Sequence, residues 1–414
     1  MRDAVVISAV RTPVGKYLGA LREMPARELG ALVLDEAARR AGVDPAEVDD
    51  VIFAQSYQNG ESVNTARMAL LKAGWPESVP GLTIDRRCCG GLDAVCQAAL
   101  RVQAGSAEMV VAGGVESMSN AEFYLPGSVK WGIGGSGGRP KGHGDLALWG
   151  IPLYDRIQRA RVMSQPEERY GVLPSMMSWA EEAARAQGVT REACDGWAVR
   201  SHLHACRAWE EGRFSDEVVA VTVDDGRGAT LSLDRDEGPR ADTSLERLAR
   251  LKPVLGGVCT AGNSSSENDG AAALVVTTRQ RAEALGVRPL GRFVTSSVVG
   301  VDPRKTWTSV PAAVSRALAQ AGLGLDDLDL VEVQEAFAAQ TLADLKELGL
   351  TEADHGRVNV NGSGISLGHP IGCTGARVLV TLLHEMRRRG ARHGLEAICG
   401  GGGLGIAAVF AGET

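Results

Sequence analysis

Three glycine-flanked turns in this chain each deliver a residue able to do covalent or proton-transfer chemistry. In Thr83–Leu92 an apolar strand runs through Asp85, Arg86 and Arg87 to Cys88–Cys89–Gly90–Gly91, where a helix pattern begins. A thiol at a helix N-terminus meets the partial positive charge of that end. The expectation is therefore a Cys88 with a lowered pKa, helped by Arg86 and Arg87, whose backbone N–H can face a developing oxyanion. The second turn is Gly368–His369–Pro370–Ile371–Gly372–Cys373–Thr374–Gly375, again just before a helix. Histidine in that position can serve as a base or donate a hydrogen bond to a thioester oxygen. Taken singly, Cys88 also reads as a small buried hydrophobe and His369 as a packed or capping residue.

The third turn, Ile398–Cys399–Gly400–Gly401–Gly402–Gly403–Leu404–Gly405, satisfies the spacing G-x-G-x-x-G. A dinucleotide fingerprint has to open a helix and be followed by an acidic residue ~20 positions on. Here an apolar strand follows and the chain ends shortly after, so the glycines fit close approach of backbone to a ligand, with Cys399 delivered at a strand end.

The elements that position these turns alternate between strand and helix. Val5–Ala9, Ala26–Ala41 stopping at Gly42, Asp50–Ala54, Leu82–Asp85, a helix from about Cys88 to Ala104 and Met109–Ala112 make a first α/β unit. From about Ser119 to Arg250 the pattern changes to a Gly/Pro-rich stretch, Gly132–Gly144, and helices around Met176–Gln187 and Arg191–Glu211. Ala271–Thr277 is a strand that can return to the first unit. Gly291–Gly300, Val310–Ala321, Asp329–Val333, a helix near Thr374–Arg389, Ala397–Cys399 and Ile406–Phe410 form a second series. The expected organisation is an N-terminal α/β half over 1–118, completed by about 255–280, an inserted loop domain over 119–254, and a C-terminal α/β half over 281–414.

A chain of 414 residues has room for more than one core. Its formal charge of −7 provides no global field for nucleic acid or an anionic membrane, so neither is an expected partner. No apolar run approaches the ~20 residues that span a bilayer. The first strand pattern starts almost at once, without a leader pattern, which points to the cytoplasm. Eight cysteines with no C-x-x-C pair read as reduced thiols, not as a disulfide framework or zinc site. His202–x–His204–x–Cys206 reads as a helix surface, and no metal is expected.

Together the motifs resemble the thiolase family over nearly the whole chain. The resemblance begins at Arg11–Thr12–Pro13–Val14–Gly15–Lys16 and runs through Gly113–Ser119, Gly212–Arg213–Phe214, Leu251–Lys252–Pro253, Thr260–Asn263 and Asn268–Ala272. The runs Gly368–Gly375 and Cys399–Gly401 are its most specific parts. It implies a five-layer αβαβα fold of two similar halves with an inserted loop domain. It also implies ping-pong chemistry between acyl-CoA and CoA, with no permanently bound cofactor, in a homodimer or homotetramer.

Residue by residue, the resemblance implies that Cys88 carries the acyl group and that His369 activates it. Cys399 would exchange the α-proton, and the N–H groups of Cys88 and Gly401 would form an oxyanion hole. Ser265 matches a pantetheine contact, while Met176 and Phe337 belong near the acyl group. Arg240, Arg247, Arg250 and Lys252 are candidates for the nucleotide phosphates, or simply a solvated basic face. The usual Asn-Glu-Ala-Phe, whose Asn holds a water facing the thioester oxygen, is Gln334–Glu335–Ala336–Phe337 here. The usual Asn-x-x-Cys-x-Ser-Gly is Asp85-x-x-Cys88–Cys89–Gly90–Gly91, and Gly362–Ser363 replaces a Gly-Gly pair. A ketoacyl-synthase-like condensing enzyme is a rival that Cys399 argues against. A weakly active thiolase-like scaffold is a second, which Gln334 keeps open.

Overall fold

A computed structural model describes residues 2–131, 151–173, 175–224 and 230–413; the glycine-rich Gly132–Gly144 lies outside them. Nine strands build the main sheet: β1 (Ala4–Arg11), β2 (Asp50–Ala54), β3 (Gly81–Ile84), β4 (Met109–Ser117), β5 (Asn268–Thr278), β6 (Gly291–Gly300), β7 (Leu330–Val333), β8 (His393–Gly400) and β9 (Leu404–Ala411). Their order is β7-β8-β9-β6-β1-β5-β4-β2-β3, with the short Gly15–Lys16 strand pairing β5.

The order contains a repeat. β1-β5-β4-β2 and β6-β9-β8-β7 each run antiparallel, antiparallel, then parallel. Among the described residues the two series pair strand to strand at Val5↔Arg292 and Val6↔Gly291. Alternation along each strand sends its side chains to opposite faces. In β9, Ile406, Ala408 and Phe410 enter one core, while Ala407 and Val409 enter another.

Three main cores hold the five layers together: one under each outer helix layer, and a central one that surrounds α2 and α7 and touches both strand series. Helix α1 (Ala26–Ala41) covers the outer face of the first series, burying Leu29, Val33 and Ala37 at four-residue spacing, until Gly42 at φ 64 ends it. Helix α2 (Gly90–Ala104) lies in the middle of the molecule. The outer face of the second series is covered by α3 (Met177–Gln187), α4 (Arg191–Glu210), α5 (Ser309–Ala321) and α6 (Ala338–Leu348). Helix α7 (Ile371–Arg389) packs beside α2 in the central layer.

The two central helices touch backbone to backbone. A Cβ on Gly91 would come within 2.5 Å of the Ala376 nitrogen, and one on Gly375 within 2.4 Å of the Leu92 nitrogen. Only glycine allows that approach, and it brings the two helix N-termini, each carrying one of the candidate residues, to the same place.

The elements differ from expectation where polar residues or missing caps hide them. The last parallel strand is His393–Gly400, longer than Ala397–Cys399, because Glu396 is fully buried in it near Arg377. Helix α6 begins after Phe337 with no side-chain cap, so it carries no start signal.

Candidate active site

Cys88 sits in a single tight turn, Arg87–Cys89, immediately before α2. Burial pushes its thiol up to about 11, against smaller opposing pulls from the Gly401 N–H and the Arg87 guanidinium. This is the reverse of the expected acidification: desolvation outweighs the helix end. Arg86 does not help, since its guanidinium is held by Asp93 at 2.8 Å.

His369 Nε2 lies 3.2 Å from Cys88 Sγ. On the other side of the ring, Nδ1 is 2.7 Å from the Thr374 hydroxyl, which itself donates to the Pro370 carbonyl at 2.9 Å. With its proton so used, the Thr374 oxygen accepts from Nδ1–H, which leaves the Nε2 lone pair facing the thiol. The His369 backbone N–H donates to Asn268 Oδ1 at 2.9 Å. Burial, with Arg377 and Arg161 adding to it, drives the imidazole down to about 3. Burial thus favours the neutral form of both the thiol and the imidazole.

Gln334 is buried behind the ring, its side-chain nitrogen 3.0 Å from His369 Nδ1 and its amide oxygen without a partner. Two donors cannot share that contact, so the amide carbonyl belongs beside Nδ1–H. Sequence reasoning expected Gln334 to face the thioester oxygen. In the structure it touches the far nitrogen of the histidine and does not line the pocket.

A pocket of about 400 Å³ is lined by Cys88, His369, Cys399 and Gly401, with Met176, Ser265 and Phe337. Cys399, at the end of β8, is 2 % exposed, and burial raises its thiol well above the ordinary value, with Asp344, Cys88 and Cys89 adding to it. Gly401 opens the turn between β8 and β9, and a Cβ there would meet the Met176 methyl at 2.9 Å. The Ser265 N–H donates to the Ala336 carbonyl at 2.9 Å, and Phe337 packs edge-on against Trp179.

Arg240, Arg247, Arg250 and Lys252 are exposed and outside this lining. Arg247 pairs with Asp242 and Arg250 with Glu246, although Leu248 and Leu251 of that segment pack on Gly262, next to the pocket residue Ala261. His202 Nδ1 accepts the Arg240 N–H at 3.3 Å, and no group of three or more metal-ligating side chains occurs among the described residues.

Two buried carboxylates that sequence reasoning passed over support the site. Glu116 accepts from the N–H groups of Gly372 (2.9 Å), Ser56 (3.0 Å) and Tyr57 (3.1 Å), fixing the start of α7; burial raises it to about 7. Glu335 accepts from Trp197 and Ser201 of α4, from Asn359, and from the Ile365 N–H, tying α4 to the loop before His369. Both stand inside quoted motifs, so the available signal was a charged residue in an otherwise apolar run.

A cysteine and a histidine paired at two helix ends, with a second cysteine in the same pocket, form an arrangement suited to cysteine-based chemistry. The family model described as "Thiolase, N-terminal domain" matches residues 4–280, and "Thiolase, C-terminal domain" matches 287–412. The chain belongs to the thiolase family and is an acyltransferase. It is 43 % identical to an acetyl-CoA acetyltransferase of Pseudomonas aeruginosa, over 99 % of this chain and 100 % of that one. A beta-ketoadipyl-CoA thiolase of the same organism is 41 % identical over 98 % of each chain. The crystal structure of the Bacillus anthracis acetyl-CoA acetyltransferase superposes with a TM-score of 0.91 at 41 % identity, covering 100 % of this chain and 99 % of that one.

Proposed function

We propose that the enzyme transfers acyl groups between CoA thioesters, joining two acyl-CoA molecules or cleaving a 3-oxoacyl-CoA with CoA. The observation that carries this reading is the 3.2 Å approach of His369 Nε2 to Cys88 Sγ in a pocket that Cys399 also lines. As the Cys88 sulfur attacks the thioester carbonyl, its proton passes to His369, and CoA leaves as the thiol by taking that proton back. Because burial disfavours the charged form of both groups, the transfer accompanies attack and does not precede it. The N–H groups of Cys88 and Gly401 stabilise the oxyanion.

In the second half, the Cys399 thiol gives its proton to His369 and, as thiolate, takes the α-proton of another acyl-CoA. The enolate attacks the Cys88 thioester, and the Cys88 sulfur leaves and recovers a proton from His369; thiolysis is the reverse. Thr374 and Gln334 hold the His369 ring in its working tautomer. Met176 and Phe337 flank the acyl group, Ser265 contacts pantetheine, and Arg240, Arg247 and Lys252 meet the CoA phosphates outside the pocket.

In this reading residues 1–118 with 255–280 supply the nucleophile, 281–414 supply the base and second thiol, and 119–254 covers CoA. The enzyme works in the cytoplasm as a homodimer or homotetramer, a reading supported by β3, a half-buried strand at the open sheet edge. Wild-type protein should convert acetoacetyl-CoA and CoA to acetyl-CoA; absence of turnover over a range of 3-oxoacyl chain lengths would refute the proposal.

A further inference from the structure

Arg87, the residue before the nucleophile, is in the left-handed region at φ 53, which non-glycine residues seldom occupy. The Asp85 carboxylate accepts its backbone N–H at 2.8 Å and so steadies that turn. The side chain is half-buried in the wall of the pocket that holds Cys88, His369 and Cys399. Among the described residues its guanidinium has no hydrogen bond or ion pair. Arg86 beside it is engaged by Asp93, and the pocket's other guanidinium, Arg161, is matched by Glu267 at 2.6 Å. Arg87 is therefore the uncompensated charge of the pocket, next to the sulfur that receives the acyl group.

The chemistry of the substrate restricts what can answer that charge. The pantetheine arm of CoA is uncharged, and its phosphates lie a whole arm's length from the thioester. The transient oxyanion is met by backbone N–H groups, so the part of an acyl-CoA that can bring a standing negative charge into this pocket is the far end of the acyl group. We propose that Arg87 receives the terminal carboxylate of the acyl chain, so that the enzyme acts on 3-oxoacyl-CoA substrates whose acyl group is a dicarboxylic acid. Guanidinium suits this task, since it can bind a carboxylate with two parallel hydrogen bonds. The assignment rests on the acyl-transfer reading above and adds its substrate class.

The test compares CoA-dependent cleavage of 3-oxoadipyl-CoA and 3-oxohexanoyl-CoA, which share a carbon chain and differ in ending with a carboxylate or a methyl group. Wild type should favour the carboxylate substrate in kcat/KM. Arg87→Asn, a side chain tolerated in the left-handed region, should lower that preference by on the order of tenfold to a hundredfold. Arg87→Lys, which keeps the charge, should retain most of it. Any effect of Arg87 on the Cys88 thiol acts on both substrates alike and cancels in the ratio. A preference that Arg87→Asn leaves intact, or a wild type favouring the methyl-ended substrate, overturns the assignment. Exposure to succinyl-CoA and, in parallel, to acetyl-CoA, followed by mass measurement, separates the two levels of failure. A Cys88 adduct without carboxylate preference removes the role of Arg87 alone; no adduct from either thioester removes the acyl-transfer reading and the assignment together.

Discussion

The two central helices present the same kind of end to the pocket but hold it in opposite ways. The start of α2 is open: Cys88 is half-buried, its neighbour Arg87 is in a left-handed conformation, and the turn is steadied by Asp85 on the Arg87 N–H and by the Arg86–Asp93 pair, neither of which touches Cys88. The start of α7 is clamped: His369 is held by Thr374, Gln334 and Asn268, and Gly372 by Glu116. The difference assigns the burden of positioning. In the proposed mechanism the nucleophile must accept an acyl group and release it, while the base must keep one nitrogen protonated and the other aimed at sulfur.

Losing the open end should cost the most. Cys88→Ser is expected to fold normally and lose activity by roughly a thousandfold or more, because the hydroxyl does not ionise near neutral pH. A Cys88→Ser enzyme still acylated at wild-type rate would move the nucleophile elsewhere, with Cys89 the first candidate. At the clamped end, His369→Ala should slow both half-reactions by about 10²–10⁴-fold, the span of general acid–base catalysis. Separate measurement of acylation and condensation would expose a defect confined to one of them, which this account does not allow.

The pH behaviour sharpens the contrast further. With the thiol raised to about 11, the substrate-free enzyme should react slowly with iodoacetamide at pH 7, and the rate should climb throughout the alkaline range. A plateau already reached near pH 6 would mean a resting thiolate–imidazolium pair. A smaller effect is expected of Gln334→Asn. The shorter amide should loosen the clamp by about 0.5–1.5 kcal/mol, a fall in rate within roughly tenfold on every acyl chain. A loss restricted to one chain length would mean that Gln334 reads the acyl group.

The helix crossing offers a stability measurement of the same kind. Gly375→Ala drives a methyl group into the Leu92 backbone and should cost about 1–3 kcal/mol. Gly196→Ala, within α4 with nothing within 4 Å, should stabilise by roughly 0.5–1 kcal/mol. Denaturant midpoints compare them directly, and equal shifts would show that the close approach at Gly375 is not a constraint.

Periodicity and motif spacing made most of this legible in sequence. Helix α1 was expected at Ala26–Ala41 and is found there, and β2 and β6 likewise match Asp50–Ala54 and Gly291–Gly300. The turns bearing Cys88, His369 and Cys399 were recognisable because each has a glycine signature at the boundary of a helix or strand pattern. What sequence could not give was distance and dielectric. The direction of the Cys88 shift depends on burial, which a helix-end argument omits. The contact of Gln334 with His369 Nδ1 depends on one added methylene in a packed space. Glu116 and Glu335 were hidden because a buried carboxylate is justified only by donors distant in sequence.

The central claim, that Cys88 carries the acyl group and Cys399 serves only the carbon–carbon step, is tested most directly by one measurement on Cys399→Ala. The variant is exposed to acetyl-CoA, digested and analysed by mass spectrometry, with release of free CoA measured in parallel. The account predicts one acetyl group per active site on Cys88, stoichiometric release of CoA, and an adduct that persists because condensation cannot follow. Acetyl on a different cysteine, or no adduct in Cys399→Ala while wild type forms one, would contradict it.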